Sequence, residues 1–283
     1  MSHPWFTGRT AVLATKHGKE TVIAPLLADL GVQVLVPPEF DSDRFGTFTR
    51  EIPRAGTQRE AARTKAEAAL ALTGADLAIA SEGSFGPHPL NPFLPSDQEL
   101  VLWLDPAHQF EAWGLELTTA TNYAQQAIAN VDEALAFAER VGFPDHGLVL
   151  KPQADPEAGG EIYKGIQDRQ TLTTLVQALS PRTGTLWLET DMRAHCNPTR
   201  MQAIARATAD LVAKLRRPCP QCDSPGFECR DRQPGLPCAW CGTPTSLTRE
   251  VIWGCWRCHY QQPQLHPEGR TTADPTYCPR CNP

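Results

Sequence analysis

The sequence predicts an α/β fold, a mixed but mostly parallel sheet with flanking helices, followed by a small cysteine-rich domain. Two observations carry this expectation. From residue 10 to about 215, short β-like runs alternate with runs of helical periodicity, the pattern of layered sheet and helix. After Pro218 prolines and glycines thicken, the apolar periodicity fades, and eight of the ten cysteines fall into four C-x-x-C pairs. The domains are therefore drawn at 1–217 and 218–283.

TAVLAT (10–15) is the first strand, followed by a helix over KETVIAPLLADLG (19–31) that Gly31 can stop. VQVLVP (32–37) is the second strand. TQREAARTKAEAALALTG (57–74) is the plainest helix: Thr57 caps it, Glu60 backs the cap three residues on, and Gly74 ends it. DLAIAS (76–81), ELVLWLD (99–105) and FEAWGLELTT (110–119) read as strands, the last two as antiparallel neighbours. NVDEALAFAERVG (130–142) and DRQTLTTLVQALS (168–180) read as helices, HGLVLK (146–151) and GTLWLET (184–190) as strands. A last helix, NPTRMQAIARATADLVAKLRR (197–217), opens with Asn197 as cap and Pro198 in its first position.

With 283 residues, 41% of them hydrophobic, the chain can bury one sizeable core and carry an accessory unit. Its apolar runs fall far short of the roughly 20 residues of a membrane span, and MSHPWFTGR lacks a basic-then-apolar leader pattern, so a soluble cytoplasmic protein without membrane contact is expected. The formal net charge of −6 opposes a broad electrostatic grip on nucleic acid, which needs a surplus of Lys and Arg.

Several polar clusters directly follow predicted strands. TKHGK (15–19) brings Thr15, Lys16 and Lys19. EGSFGPH (82–88) brings Glu82, Ser84 and His88, and its glycines let a ligand approach the backbone. Lys151 follows HGLVL, and ETDMRAHCNPTR (189–200) packs Glu189, Asp191, Arg193, His195 and Arg200 into a strand-to-helix junction. Ligands of open parallel sheets bind beyond the carboxyl ends of the strands, so these tips are expected to form one pocket. Lysines, arginines and histidines suit phosphate oxygens; Glu82, Glu189 and Asp191 suit a hard divalent cation. The plainer alternatives are a solvated helix start at 15–19, a tight turn at 82–88, and an Asp191–Arg193 pair. Cys196 beside His195 is a poor nucleophile–base pair, because adjacent residues rarely face each other.

Residues 57–86 resemble the core of the inosine/xanthosine triphosphate pyrophosphatase superfamily: an Ala-rich helix opening with Glu60 and carrying Arg63 and Lys65, an Asp76 step, then a strand ending in Glu82 and Gly83. The resemblance covers about 80 residues, and the whole chain is also similar to a bacterial family, without an assigned activity, that couples such a half to a cysteine-rich tail. It implies magnesium- or manganese-assisted hydrolysis of a nucleoside triphosphate between the α and β phosphates. Glu60 and Glu82 would then hold metal or orient water, and Lys16, Lys19 and Arg200 would bind phosphate oxygens. Asp191 and Glu189 are additions from this sequence. The rival expectation is a non-catalytic sensor of a nucleotide or anion.

CPQC (219–222), CAWC (238–241), CWRC (255–258) and CPRC (278–281) can each place two thiolates on a tetrahedral ion, which makes two structural zinc sites closed by four sulfurs. Pairing in chain order, Cys219 and Cys222 with Cys238 and Cys241, then Cys255 and Cys258 with Cys278 and Cys281, leaves 15 and 19 intervening residues. The spacing leaves a cross-braced arrangement open. Trp240, Trp253, Trp256 and Tyr260 interleave with Arg249, Arg257, Arg270 and Arg280, a surface for nucleic acid or a protein partner, or else a roof over a ribbon with little core. Cys229 is a spare, and the oligomeric state is not indicated.

Overall fold

A computed structural model of the chain describes residues 4–46, 56–153 and 161–283. The chain divides into two compact units, 1–212 and 213–283. Among the described residues no helix is long and apolar enough to cross a membrane.

The N-terminal unit holds two sheets rather than one. The first contains β1 (Thr10–Ala14), β2 (Gln33–Leu35), β3 (Ala78–His88), β4 (Asn91–Asp105) and β5 (Phe110–Thr118) in the order β2-β1-β3-β4-β5. Here β1 pairs in parallel with β2 and β3, while β3–β4 and β4–β5 are antiparallel. The second contains β6 (Gln125–Ile128), β7 (Leu148–Lys151), β8 (Tyr163–Ile166) and β9 (Leu186–Thr190) in the order β6-β9-β7-β8, antiparallel throughout. The expected mostly parallel sheet is thus corrected to a mostly antiparallel pair. Connection length decides this. A parallel return needs a crossover of a dozen or so residues, as α1 (Glu20–Ala28) and α2 (Gln58–Thr73) provide, whereas only Pro89 and Leu90 separate β3 from β4.

Local chemistry starts and stops the helices as their end residues suggest. Thr57 and Glu60 form a reciprocal capping box on α2, and Gly74 ends it at φ 69°. Asn130 caps α3 (Val131–Arg140), Asp168 caps α4 (Arg169–Thr183), and the Asn197 side chain accepts from the Arg200 amide at the start of α5 (Pro198–Leu215). Ala62, Ala66 and Ala69 of α2 pack on Val12, Ala80, Leu100 and Leu102 of the first sheet. On β5, a Cβ at Gly114 would stand 2.0 Å from the Ala207 carbonyl oxygen, so only glycine lets α5 lie this close. The second sheet has its own core, with Phe137, Leu148, Leu150, Leu172, Val176 and Leu188 between strands and α3 and α4.

Residues 82–88 are not a turn at a strand tip. Where β1 ends, with Ala14 opposite Ala80, β3 runs on for eight residues because β4 ladders its other edge. The run-on leaves a ledge beyond the carboxyl end of β1.

In the C-terminal unit, β10 (Glu228–Pro234), β11 (Thr248–Gly254) and β12 (Gln261–Leu265) form a three-stranded antiparallel sheet.

Candidate functional site

Charged side chains from four chain segments gather at this ledge. On the face of β3 turned to α2, Glu82 forms an ion pair with Lys65. Strand alternation puts Ser81, Gly83 and Phe85 on the opposite face, together with Asp97 and Glu99 of β4, since Gly83 is registered with Glu99 and Phe85 with Asp97. There Lys19 donates to the Ser81 hydroxyl at 2.8 Å and to its carbonyl at 3.3 Å. Arg200, from the first turn of α5, donates from Nε to Glu99 Oε1 at 2.7 Å, donates from Nη1 to the Met192 carbonyl, and lies 5.1 Å over the Phe85 ring. Gln58 donates to the carbonyls of Glu82 and Gln98 at 2.6 and 2.9 Å.

Lys19, Lys65, Glu82, Asp97, Glu99 and Arg200 are all buried, which makes the balance of charge decisive. Burial, helped by the Arg200 charge, lowers the Lys19 ammonium to about 7. Burial, helped by Glu99, pushes the Asp97 carboxyl up to about 8. Burial also works against charge on Arg200, but Glu99 outweighs it and holds the guanidinium above its ordinary value.

Other predicted site residues take different places. Thr15 is buried under the ledge loop, its hydroxyl accepting from the His17 amide at 3.3 Å. His195 reaches the same loop: its ring stacks on His17 at 4.9 Å. Lys16 pairs on the surface with Asp41 at 3.0 Å. Glu60 does not join the ledge; its carboxylate accepts from the Thr57 amide at 2.7 Å, so the cap accounts for it. Ser84 lies on the Glu82 face of β3, half-buried, and His88 sits at the far end of the strand, accepting from the Leu90 amide at 3.2 Å.

Asp191 and Arg193 pair with each other. The Asp191 carboxylate accepts from the Gly165 amide at 3.0 Å, the Arg193 amide at 3.0 Å and Arg193 Nη2 at 2.7 Å. Burial pushes this acid up, yet the Arg193 hydrogen bonds and charge outweigh it and hold it below the usual range. Glu189 pairs with Lys151 at 2.8 Å. Both pairs fasten the second sheet. Burial, aided by the Asp191 charge, pushes the Cys196 thiol up to about 11, which removes it as a thiolate.

Asp97 and Glu99 are the ledge residues that the sequence reading passed over. A signal for them exists. Counting back in twos from the buried Trp103 and Val101 lands on Glu99 and Asp97, so the strand period aims both acids inward.

In the C-terminal unit the eight cysteines form two clusters, Cys219, Cys222, Cys255 and Cys258 in one and Cys238, Cys241, Cys278 and Cys281 in the other, with the sulfurs of each within 4.8 Å of one another. Sulfur separations such as Cys222–Cys255 at 3.6 Å and Cys219–Cys258 at 3.7 Å match the edge of about 3.8 Å expected of a tetrahedron with metal–sulfur bonds of about 2.3 Å. The clusters are compatible with structural zinc. They are interleaved, first pair with third and second with fourth, which corrects the pairing in chain order. Strand direction is the reason. The first pair precedes β10 and the third follows β11, and antiparallel register brings those ends together at Glu228 and Gly254. The second pair lies between β10 and β11, at the opposite end of the sheet, where β12 delivers the fourth.

The knuckles repeat one design. Amides of Gln221, Trp240, Arg257 and Cys281 donate to the first sulfur of their pairs at 3.3–3.4 Å. Asp223, Gly242 and His259, each just after a second cysteine, turn the chain with φ of 58°, 70° and 60°. The Ser224 hydroxyl bond lowers the Cys222 thiol to about 6, and Thr243 does the same for Cys241. Trp253 and Tyr260 pack with Phe227 around the first cluster, and Trp256 donates to the Pro225 carbonyl, so these aromatics serve the ribbon; Trp240 stays exposed.

A family model described as Domain of unknown function (DUF6671) matches residues 65–283. No curated protein and no solved structure matches the chain, and none of these comparisons points to the inosine/xanthosine triphosphate pyrophosphatase superfamily. The family match takes in Lys65, the β3–β4 ledge, the second sheet and both cysteine clusters, so the chain belongs to the family described as Domain of unknown function (DUF6671).

Proposed function

We propose that the N-terminal unit hydrolyses a phosphorylated, nucleotide-like small molecule, a nucleoside triphosphate or a close relative, with a magnesium or manganese ion, while two zinc ions hold the C-terminal unit in a structural role. The observation that supports this is the charge flanking β3 beyond the end of β1, with Lys19, Ser81 and Arg200 on one face and Lys65 with Glu82 on the other. The resemblance of residues 57–86 to the pyrophosphatase superfamily points the same way.

In this reading Glu82, paired with Lys65, orients the attacking water across the edge of β3 that β1 leaves uncovered beyond Ala80. Lys19 titrates near neutrality while bonded to Ser81, so an arriving phosphate draws it to the ammonium form and is held by it. Arg200 positions Glu99 and adds positive potential. The divalent ion supplies charge neutralisation at the phosphate oxygens. One phosphoanhydride bond breaks, water adds to one phosphorus, and pyrophosphate leaves with the displaced oxygen.

The sensing alternative draws on one observation: Lys65 and Arg200 already meet carboxylates, leaving Lys19 as the ledge cation bonded to a hydroxyl instead. Pyrophosphate release from a panel of nucleoside triphosphates, with zinc-loaded protein and with or without magnesium, separates the two. Magnesium-dependent release that falls at least ~100-fold in Glu82→Gln is expected. Tight nucleotide binding without release supports sensing, and neither binding nor release removes both.

A further inference from the structure

We propose that Asp97 and Glu99 bind a divalent cation of the oxygen-preferring kind, magnesium or manganese, on the α5-facing side of β4. Both side chains point to one face of the strand, and both residues are 0% exposed. Neither carboxylate oxygen of Asp97 has a hydrogen-bond partner, and neither does Glu99 Oε2. Glu99 Oε1 is already taken by Arg200. Three buried acceptor atoms therefore lack a donor from the other described residues, and the two acids lie within hydrogen-bonding and electrostatic reach of each other.

An orphaned buried carboxylate costs several kcal/mol, and the Arg200 and Arg206 charges near Asp97 do not offset its burial. A hard cation bound directly can. The donor atoms are all oxygens, without sulfur or imidazole, which selects magnesium or manganese over zinc and distinguishes this site from the cysteine clusters. Gly83 makes the cradle possible: a Cβ there would stand 2.5 Å from both Arg200 Nη2 and Glu99 Oε1. Glu82 is no rival ligand, since it points to the other face and pairs with Lys65. Magnesium commonly takes one or two carboxylates and completes its shell with water and substrate phosphates, which would set a phosphate beside Lys19 and Arg200. The site supplies ligands for the metal of the proposed hydrolysis and rests on that reading for its purpose, though not for its existence.

The test is manganese uptake by the full-length, zinc-loaded protein, read from the electron paramagnetic resonance of free Mn2+. One ion bound per chain, displaced by Mg2+, is expected; affinity should fall at least tenfold in Asp97→Asn and stay unchanged in Glu189→Gln. No uptake by the wild-type chain, as when a shared proton occupies the pair instead, overturns the proposal, and so does equal uptake by Asp97→Asn. Should Asp97→Asn fail to fold, iron-promoted backbone cleavage of the wild-type chain decides. Magnesium-suppressible cuts near residues 83 and 97–99 support the site, and cuts only elsewhere overturn it. Manganese uptake without pyrophosphate release keeps this site and removes hydrolysis; release without uptake does the reverse.

Discussion

In the C-terminal unit the clustered polar atoms are sulfurs that face one another, whereas in the N-terminal unit buried charges mostly meet a partner of opposite sign. Lys65, Lys151, Arg193 and Arg200 each reach a carboxylate there. The contrast sorts the acids. Asp191 and Asp97 are buried alike, 1% and 0% exposed, yet Asp191 collects amide and guanidinium donors while Asp97 collects none. Asp97 therefore resembles the cysteine clusters more than it resembles Asp191: its oxygens, like their sulfurs, lie against ligand atoms of their own kind and not against donors. Burial alone does not mark a site. Burial without a partner does.

Removing zinc should break the comparison most forcefully. Structural zinc sites contribute an apparent ~10–16 kcal/mol each, so chelation should unfold residues 213–283 while the N-terminal unit keeps its own melting transition. Circular dichroism and calorimetry with and without chelator check this; a tail that stays folded without metal contradicts it. Asp191→Asn comes next, with a loss of about 3–5 kcal/mol in urea unfolding, because Arg193 loses its charge partner inside the protein. The same substitution at Asp97, measured at pH 9 without divalent cation, should go the other way and raise stability by about 1–2 kcal/mol, since above its value of about 8 it removes a buried charge that no hydrogen-bond donor meets. Opposite signs sharpen the comparison, and equal losses end it.

The smallest effect concerns Lys19. Its folded value near 7 lies below the ordinary 10.5, so between those limits the unfolded chain binds more protons and stability rises with pH. From pH 7 to 8 the Lys19 contribution is about 1 kcal/mol. Asp97, whose folded value near 8 lies above its ordinary 3.8, acts with the opposite sign in the same window, so denaturation at pH 7 and 8 should show stability rising less, or falling more, in Lys19→Met than in the wild type.

Local chemistry was the legible part. Thr57, Glu60 and Gly74 announce α2 because capping needs only neighbours, but that same locality misled the reading of Glu60, whose carboxylate the cap consumes. Sheet direction was legible only for β4 and β5, expected and found as antiparallel neighbours; elsewhere identical strands pair either way, and the two residues between β3 and β4 decide. β3 outruns its apolar stretch because a long-range ladder with β4 supports the polar residues 82–88. The cysteine ligands were plain from spacing, but their interleaving depends on β10 and β12, whose polar sequences ECRDRQP and QQPQL give little sign of strand. Asp97 and Glu99 were within reach, by extending the alternation of LVLW back through them.

Anomalous diffraction from crystals of the zinc-loaded protein grown with manganese tests the central claim most directly. Two zinc peaks at the cysteine clusters and one manganese peak between Asp97 and Glu99 are predicted. Carboxylates at 97 and 99 that hold no manganese, or a manganese peak at Glu189 and Asp191 instead, would contradict the account.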